Sequence, residues 1–293
     1  MKRITEKLKE EKILISDGAW GTFLQAKGLE AGDCPEEWNI KNPEAVYAIA
    51  KSYIDAGADM IETNSFGGSK FKLENYGLGE QSYELNKVAA EISKKAAGDN
   101  IVLGSIGPTG KILMMGDVTA DELYEAFEIQ ATALEKGGAD AIVIETMTDL
   151  DEAKIAVNAT KENTSLEIIC TMTFDKTPTN EFFTMMGVTP EQMISDMKNL
   201  GVDIIGSNCG NGIEGMIGVT KAIRNIDKEI PILIHANAGI PFIKDGKTIF
   251  PETAEIMSRS VPSLVESGAN IVGGCCGTTP EHIRKMKEVV KSL

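Results

Sequence analysis

The chain has 293 residues, 42 % of them hydrophobic, which is enough for one large core and ordinary for a single α/β barrel. Its 44 acidic and 29 basic residues give a formal charge of −15, which argues against nucleic acid and anionic membrane surfaces as partners. No stretch approaches the ~18 consecutive apolar residues of a membrane span. Five cysteines behind a charged start with no signal-peptide core are expected of a reducing cytoplasm rather than a disulfide framework.

The first ten residues predict a short amphipathic helix. A strand follows over 13–16, ending in Asp17-Gly18-Ala19-Trp20-Gly21-Thr22. After it, one pattern recurs: a helix, a glycine suited to a left-handed cap, then an apolar strand. The four capping glycines are Gly57, Gly138, Gly201 and Gly268, and the intervals between them hold two strand-helix units each. Strands are expected near 13, 60, 101, 141, 167, 203, 231 and 270. Helices are expected over 43–55, 83–97, 120–136, 150–163, 190–200 and 280–293, with Pro43, Pro190 and Pro280 where a first helical turn tolerates proline. Eight nearly continuous apolar strands alternating with helices predict an α/β fold, a single (β/α)8 TIM barrel with a closed parallel sheet, as one domain over 1–293. A doubly wound open sheet is the alternative, but no Gly-x-Gly-x-x-Gly follows the first strand.

In such barrels the active site lies at the C-terminal ends of the strands. Polar segments gather there: Glu62-Thr63-Asn64-Ser65-Phe66-Gly67-Gly68, Gly107-Pro108-Thr109-Gly110, Glu145-Thr146, Asn237-Ala238-Gly239 and two cysteine motifs. These motifs are Ser207-Asn208-Cys209-Gly210 and Gly273-Gly274-Cys275-Cys276-Gly277-Thr278. Three thiolates converging on one rim, with no fourth protein ligand in either motif, form the pattern of an open zinc site. Two neighbouring cysteines on one metal require irregular backbone, because adjacent strand side chains point to opposite faces, and Gly273, Gly274 and Gly277 supply the freedom. The competing readings are a vicinal disulfide and a pair of buried, inert thiols. His235 is expected to be a core histidine, with a fourth-ligand role as the alternative, and His282 to be exposed. Cys170 is expected to be buried and inert, and Cys34 to be a loop thiol. Met114-Met115 and Met185-Met186 are expected to flank the rim.

On these motifs the chain resembles the homocysteine S-methyltransferase family. That family includes the homocysteine-binding domain of cobalamin-dependent methionine synthase, betaine-homocysteine methyltransferase and S-methylmethionine-homocysteine methyltransferase. The resemblance covers nearly the whole chain, and the double cysteine with the upstream Asn-Cys is its specific part. It implies that Cys209, Cys275 and Cys276 hold zinc, that the homocysteine thiol takes the open position, and that a methyl group moves to that thiol to give methionine. It places Asp17, Glu145 and Asn237 around the amino-acid end, the two carboxylates against the ammonium, and the backbone of Ala19, Trp20 and Gly21 against the carboxylate. Without a substrate, Asp17 reads as a turn residue and Asn237 as a loop residue.

The donor must carry an activated methyl group. An aromatic cage for a quaternary ammonium is weakly supported, since aromatics are 5 % of the chain and Cys34 and Gly67 stand where the betaine enzymes have a Trp and a Tyr. Betaine and S-methylmethionine remain open. The Gly-Pro-Thr-Gly and Asn-Ala-Gly segments point to the methionine-synthase type and a methyl-corrinoid donor. The chain stops soon after the last barrel helix, so a corrinoid is expected on a separate protein. The rival classes are a zinc- or thiol-binding barrel that acts on another thiol or lacks catalysis, and a zinc hydrolase, whose ligands are usually His and carboxylate.

Overall fold

The computed structural model describes residues 2–244 and 246–293; Met1, part of the expected first helix, lies outside them. Eight strands form one parallel sheet: β1 (Leu14–Ile15), β2 (Met60–Glu62), β3 (Ile101–Ile106), β4 (Ala141–Met147), β5 (Glu167–Met172), β6 (Ile204–Gly212), β7 (Ile232–Asn237) and β8 (Ile271–Gly274). Each pairs with its neighbours in chain order and β1 pairs with β8, so the barrel is closed by ladders everywhere except between β1 and β2. Side-chain carboxylates stitch that seam. The Ile15 amide donates to Asp59 Oδ2 at 2.8 Å, the Asp59 amide to the Ile15 carbonyl at 2.7 Å, and the Glu62 amide to Asp17 Oδ2 at 2.9 Å.

The expected helices form, several with the expected limits: Pro43–Asp55, Leu150–Asn163 and Pro190–Leu200. The four capping glycines are all left-handed, with φ between 77° and 114°, which only glycine adopts without cost. Two antiparallel hairpins were not expected from the sequence. One pairs Asp175–Lys176 with Phe182–Phe183 after β5, and the other pairs Phe242–Lys244 with Lys247–Ile249 after β7.

Strand side chains alternate between the helix side and the barrel interior. The interior positions near the strand starts are apolar: Leu14, Met60, Ile101, Leu103, Ala141, Val143, Ile169, Ile204, Leu233 and Ile271 form one cluster. Ile4, on the N-terminal helix α1 (Arg3–Glu10), joins it and closes the barrel bottom. That helix is docked by Glu167, whose carboxylate accepts from the amides of Ile4 at 2.7 Å and Thr5 at 3.0 Å and from the Thr5 hydroxyl at 2.7 Å. One step further up most of the strands the interior turns polar.

Candidate active site

The alternation that points Met60, Val143 and Leu233 inward also points Glu62, Glu145 and His235 inward, one layer higher. Ser105, Thr171 and Asn208 complete this layer, and all six are buried. Above them lies a cavity of about 350 Å³, lined by Glu62, Glu145 and His235 together with Trp20, Phe66, Ser105 and all three rim cysteines. That volume lies within the range of small-molecule sites, about 300–1,000 Å³.

The three thiols are brought together by two different backbone devices. Cys209 lies where the β6–β7 register shifts, between Asn208 and Gly212, and has a left-handed φ of 58°. The bulge re-aims a side chain that regular pleating would send elsewhere. Cys275 and Cys276 follow the end of β8; the Cys275 amide donates to the Ala236 carbonyl at 2.7 Å, and the Cys276 carbonyl accepts from the Ala238 amide at 3.0 Å. Gly277, at φ 81°, turns the chain away. Gly273 is not left-handed; its role is close approach, since a Cβ there would stand 2.8 Å from His235 Cδ2 and 2.9 Å from the Asp17 carbonyl. All three cysteines are free.

The three sulfurs lie within 4.8 Å of one another. Tetrahedral ligands at ~2.3 Å from zinc stand about 3.8 Å apart, so the cluster fits three corners of such a site with little movement. It is the one group of three or more metal-ligating side chains found among the described residues. Hydrogen bonds from Cys275 and Cys276 hold the Cys209 thiol far below its ordinary range, while those same bonds push Cys275 and Cys276 up. Three soft sulfur donors this close together form a ligand set suited to a borderline cation such as zinc.

A second strained residue faces the same cavity. Thr146 has φ 60°, uncommon for a β-branched side chain, and sits at the β4–β5 register shift. Asn208, fully buried, locks it. Its Oδ1 accepts from the Thr146 amide at 2.8 Å and the Thr171 hydroxyl at 2.7 Å, while its Nδ2 donates to Thr146 Oγ1 at 2.7 Å and Glu145 Oε2 at 3.0 Å. The Ser105 hydroxyl donates to Glu145 Oε1 at 2.5 Å. Burial, together with the nearby Glu62 charge, raises the Glu145 carboxyl well above its ordinary range. Burial does the same to Glu62, with Asp17 adding to it, and burial pushes the His235 imidazole down against the pull of Asp17 and Glu145. A pocket that resists its own negative charges is suited to a cationic ligand group.

Of the other residues singled out in the sequence, Ala19, Trp20 and Gly21 line the cavity, but the Ala19 amide already donates to Thr278 Oγ1 at 3.0 Å. Asp17 is 1 % exposed and lies behind the cavity wall. Asn237 likewise does not line the cavity; its side chain hydrogen-bonds to Cys209 instead. His282 is not exposed as expected. It is buried as part of a capping box, Nδ1 accepting from the Thr279 amide at 3.2 Å and Nε2 lying 3.0 Å from the Glu252 carbonyl. Cys34 and Cys170 are buried, and burial pushes both thiols up to about 12. Met114, Met115 and Met185 are strongly exposed at the rim. Glu62 was the functional candidate that rim motifs alone did not separate from its neighbours; strand parity with Met60 is the signal that does.

The model of the homocysteine S-methyltransferase family matches residues 14–290. The chain belongs to that family. Among curated relatives, the methionine synthases of Mycobacterium tuberculosis (strain ATCC 25618 / H37Rv) and Mycobacterium leprae (strain TN) are each 30 % identical, over 97 % and 96 % of this chain. The chain spans about a quarter of their length, 25 % and 24 %. Among solved structures, the metallated form of the homocysteine methyltransferase MmuM from Escherichia coli superimposes with a TM-score of 0.80 at 23 % identity, covering 97 % of this chain and 98 % of that one. This likeness speaks for the fold. No helix among the described residues is long and apolar enough to cross a membrane.

Proposed function

We propose that this family member transfers a methyl group to the sulfur of homocysteine, giving methionine, with zinc held by Cys209, Cys275 and Cys276. The observation that supports it most is the convergence of three free thiols on the same cavity as two buried inward carboxylates. Zinc there would keep the substrate sulfur a thiolate at neutral pH, where a free thiol of pKa ~8.5 is mostly protonated, and three thiolate ligands would leave it electron-rich. The protein's part is placement. Glu145, oriented by Ser105 and Asn208, receives the ammonium; the Trp20–Gly21 backbone borders the carboxylate; Asn237 steadies Cys209. Hydrogen bonding on both Glu145 oxygens fixes the carboxylate before substrate arrives, which lowers the ordering cost of binding.

The favoured donor is a methyl-corrinoid, with S-methylmethionine and betaine as the small-molecule alternatives. Residues 1–293 are proposed to act as one domain in a reducing cytoplasm, which suits five free thiols. The test is a donor screen. Zinc-loaded protein, homocysteine and, separately, methylcobalamin, S-methylmethionine or betaine should yield methionine with at least one donor, and Cys209→Ser should abolish it. No methionine from any of them, with zinc bound, would refute the activity and favour a thiol-binding role.

A further inference from the structure

The four repeats that turn on a capping glycine share one more feature. Two residues beyond each glycine stands Asp59, Asp140, Asp203 or Asn270, at the foot of an even-numbered strand. Each side chain accepts from an amide of the preceding odd-numbered strand: Ile15 at 2.8 Å, Val102 at 2.9 Å, Ile168 at 3.1 Å and Ile232 at 3.0 Å. Its own amide returns a bond to the carbonyl of the same residue, at 2.7, 2.8, 3.0 and 2.9 Å in turn. Four clasps of one design thus join the strands in pairs, β1 to β2, β3 to β4, β5 to β6 and β7 to β8. At β1–β2, where no ladder forms, the clasp closes the lower end of the seam.

Three of the four clasps carry a charge, and one segment answers all three. Lys2 pairs with Asp203, Arg3 with Asp140 at 2.7 Å and Lys7 with Asp59 at 3.2 Å. These carboxylates are only 11–13 % exposed, so a missing partner would leave a charge poorly solvated. Asp140 has a second cation in Lys94 at 2.8 Å and Asp59 a second in Lys287 at 2.6 Å. Among the described residues, Lys2 alone pairs with Asp203. The fourth clasp is neutral: Asn270 Oδ1 accepts from Arg224, on the helix Ile213–Ile226, at 3.1 Å. We propose that α1, with Lys2 just before it, is a strap that ties three of the four strand pairs from below, one cation to each charged clasp. Arg3 and Lys7 lie one helical turn apart, as do Ile4 and Leu8, so one short helix presents both the cations and the plug. Glu167 fixes its first turn, and the neutral fourth pair closes without it.

The experiment is amide hydrogen exchange in the full chain, read at the four clasp amides of Ile15, Val102, Ile168 and Ile232. The triple variant Lys2→Met/Arg3→Met/Lys7→Met keeps Ile4 and good helix formers throughout α1. Its exchange relative to the parent should rise most at Ile168, roughly two- to fivefold, because Asp203 loses its one cation. The rise should be smaller at Ile15 and Val102, where Lys287 and Lys94 remain, and absent at Ile232. Lys2→Met alone should reproduce the effect at Ile168, which decides the matter if the triple variant does not fold. Ile4→Ala removes the plug, leaves every cation, and should speed all four amides alike. Equal acceleration at all four in the cation variants, or none at Ile168, would overturn the strap. So would the same graded pattern from Ile4→Ala.

Discussion

The two ends of the barrel are built from the same eight strands and follow opposite rules. At the bottom, every interior position is apolar or saturated: Ile4 plugs the barrel, Glu167 accepts three hydrogen bonds from α1, and Asp140 is clasped by Lys94 at 2.8 Å and Arg3 at 2.7 Å. At the top, the interior holds two carboxylates that resist ionising, an imidazole with an orphan nitrogen, two strained non-glycine residues and three clustered thiols. The lower pole stabilises; the upper pole is held in place at a cost to stability, as sites preorganised for a ligand are. Two or three residues along a strand separate the two regimes.

Substitutions at the two poles should therefore separate metal binding from stability. The largest effect expected is at the top. Cys209→Ser and Cys276→Ser should each lose most of the zinc by elemental analysis, while the metal-free melting temperature stays near that of the metal-free parent. Full zinc retention in both would break the division. At the bottom, Ile4→Ala should cost about 2–5 kcal/mol of stability by denaturant unfolding and leave zinc stoichiometry untouched. A loss of zinc with that variant while still folded would show that the poles are coupled.

A smaller effect distinguishes them by pH. Burial alone would raise the Asp140 carboxyl, but hydrogen bonds from Lys94 and Arg3 outweigh it and hold it below its ordinary range. Its contribution is therefore present above the unfolded pKa of about 3.9 and lost as pH falls through the lower folded value. Glu145 is raised, chiefly by burial, so its contribution is present below about 4.3 and lost as pH rises towards the folded value. In metal-free protein, the melting temperature of Glu145→Gln relative to the parent should improve from about pH 4 to about pH 8, while Asp140→Asn should be most harmful near neutrality and least harmful in acid. The slopes should be on the order of 1 kcal/mol per pH unit or less. Slopes of the same sign at both poles would undo the contrast.

Much of this was legible in the sequence because glycine marks it. Gly57, Gly138, Gly201 and Gly268 stand where the chain must turn left-handed, and each announces the strand that follows. The cysteines were legible by residue type. The polar layer was readable in principle, since Met60 and Glu62, Val143 and Glu145, and Leu233 and His235 differ by one full period of a strand. Motif reading grouped residues by rim segment and so passed over Glu62, which strand parity places in the inward layer with Glu145 and His235. His282 was misjudged because histidine at the third position of a helix is an unusual capping-box partner for threonine. The hairpins after β5 and β7 carry no alternating pattern long enough to announce them. The bulges that aim Thr146 and Cys209 depend on neighbouring strands and leave no mark in the local sequence.

The most direct test of the central assignment is sulfur coordination at the metal, measured by X-ray absorption at the zinc edge before and after homocysteine is added. Three sulfur ligands at ~2.3 Å rising to four on addition, with three retained when 2-aminobutyrate is added instead, is the expected result. A sulfur count that does not change with homocysteine, or fewer than three sulfurs in the resting protein, would contradict thiol ligation at Cys209, Cys275 and Cys276.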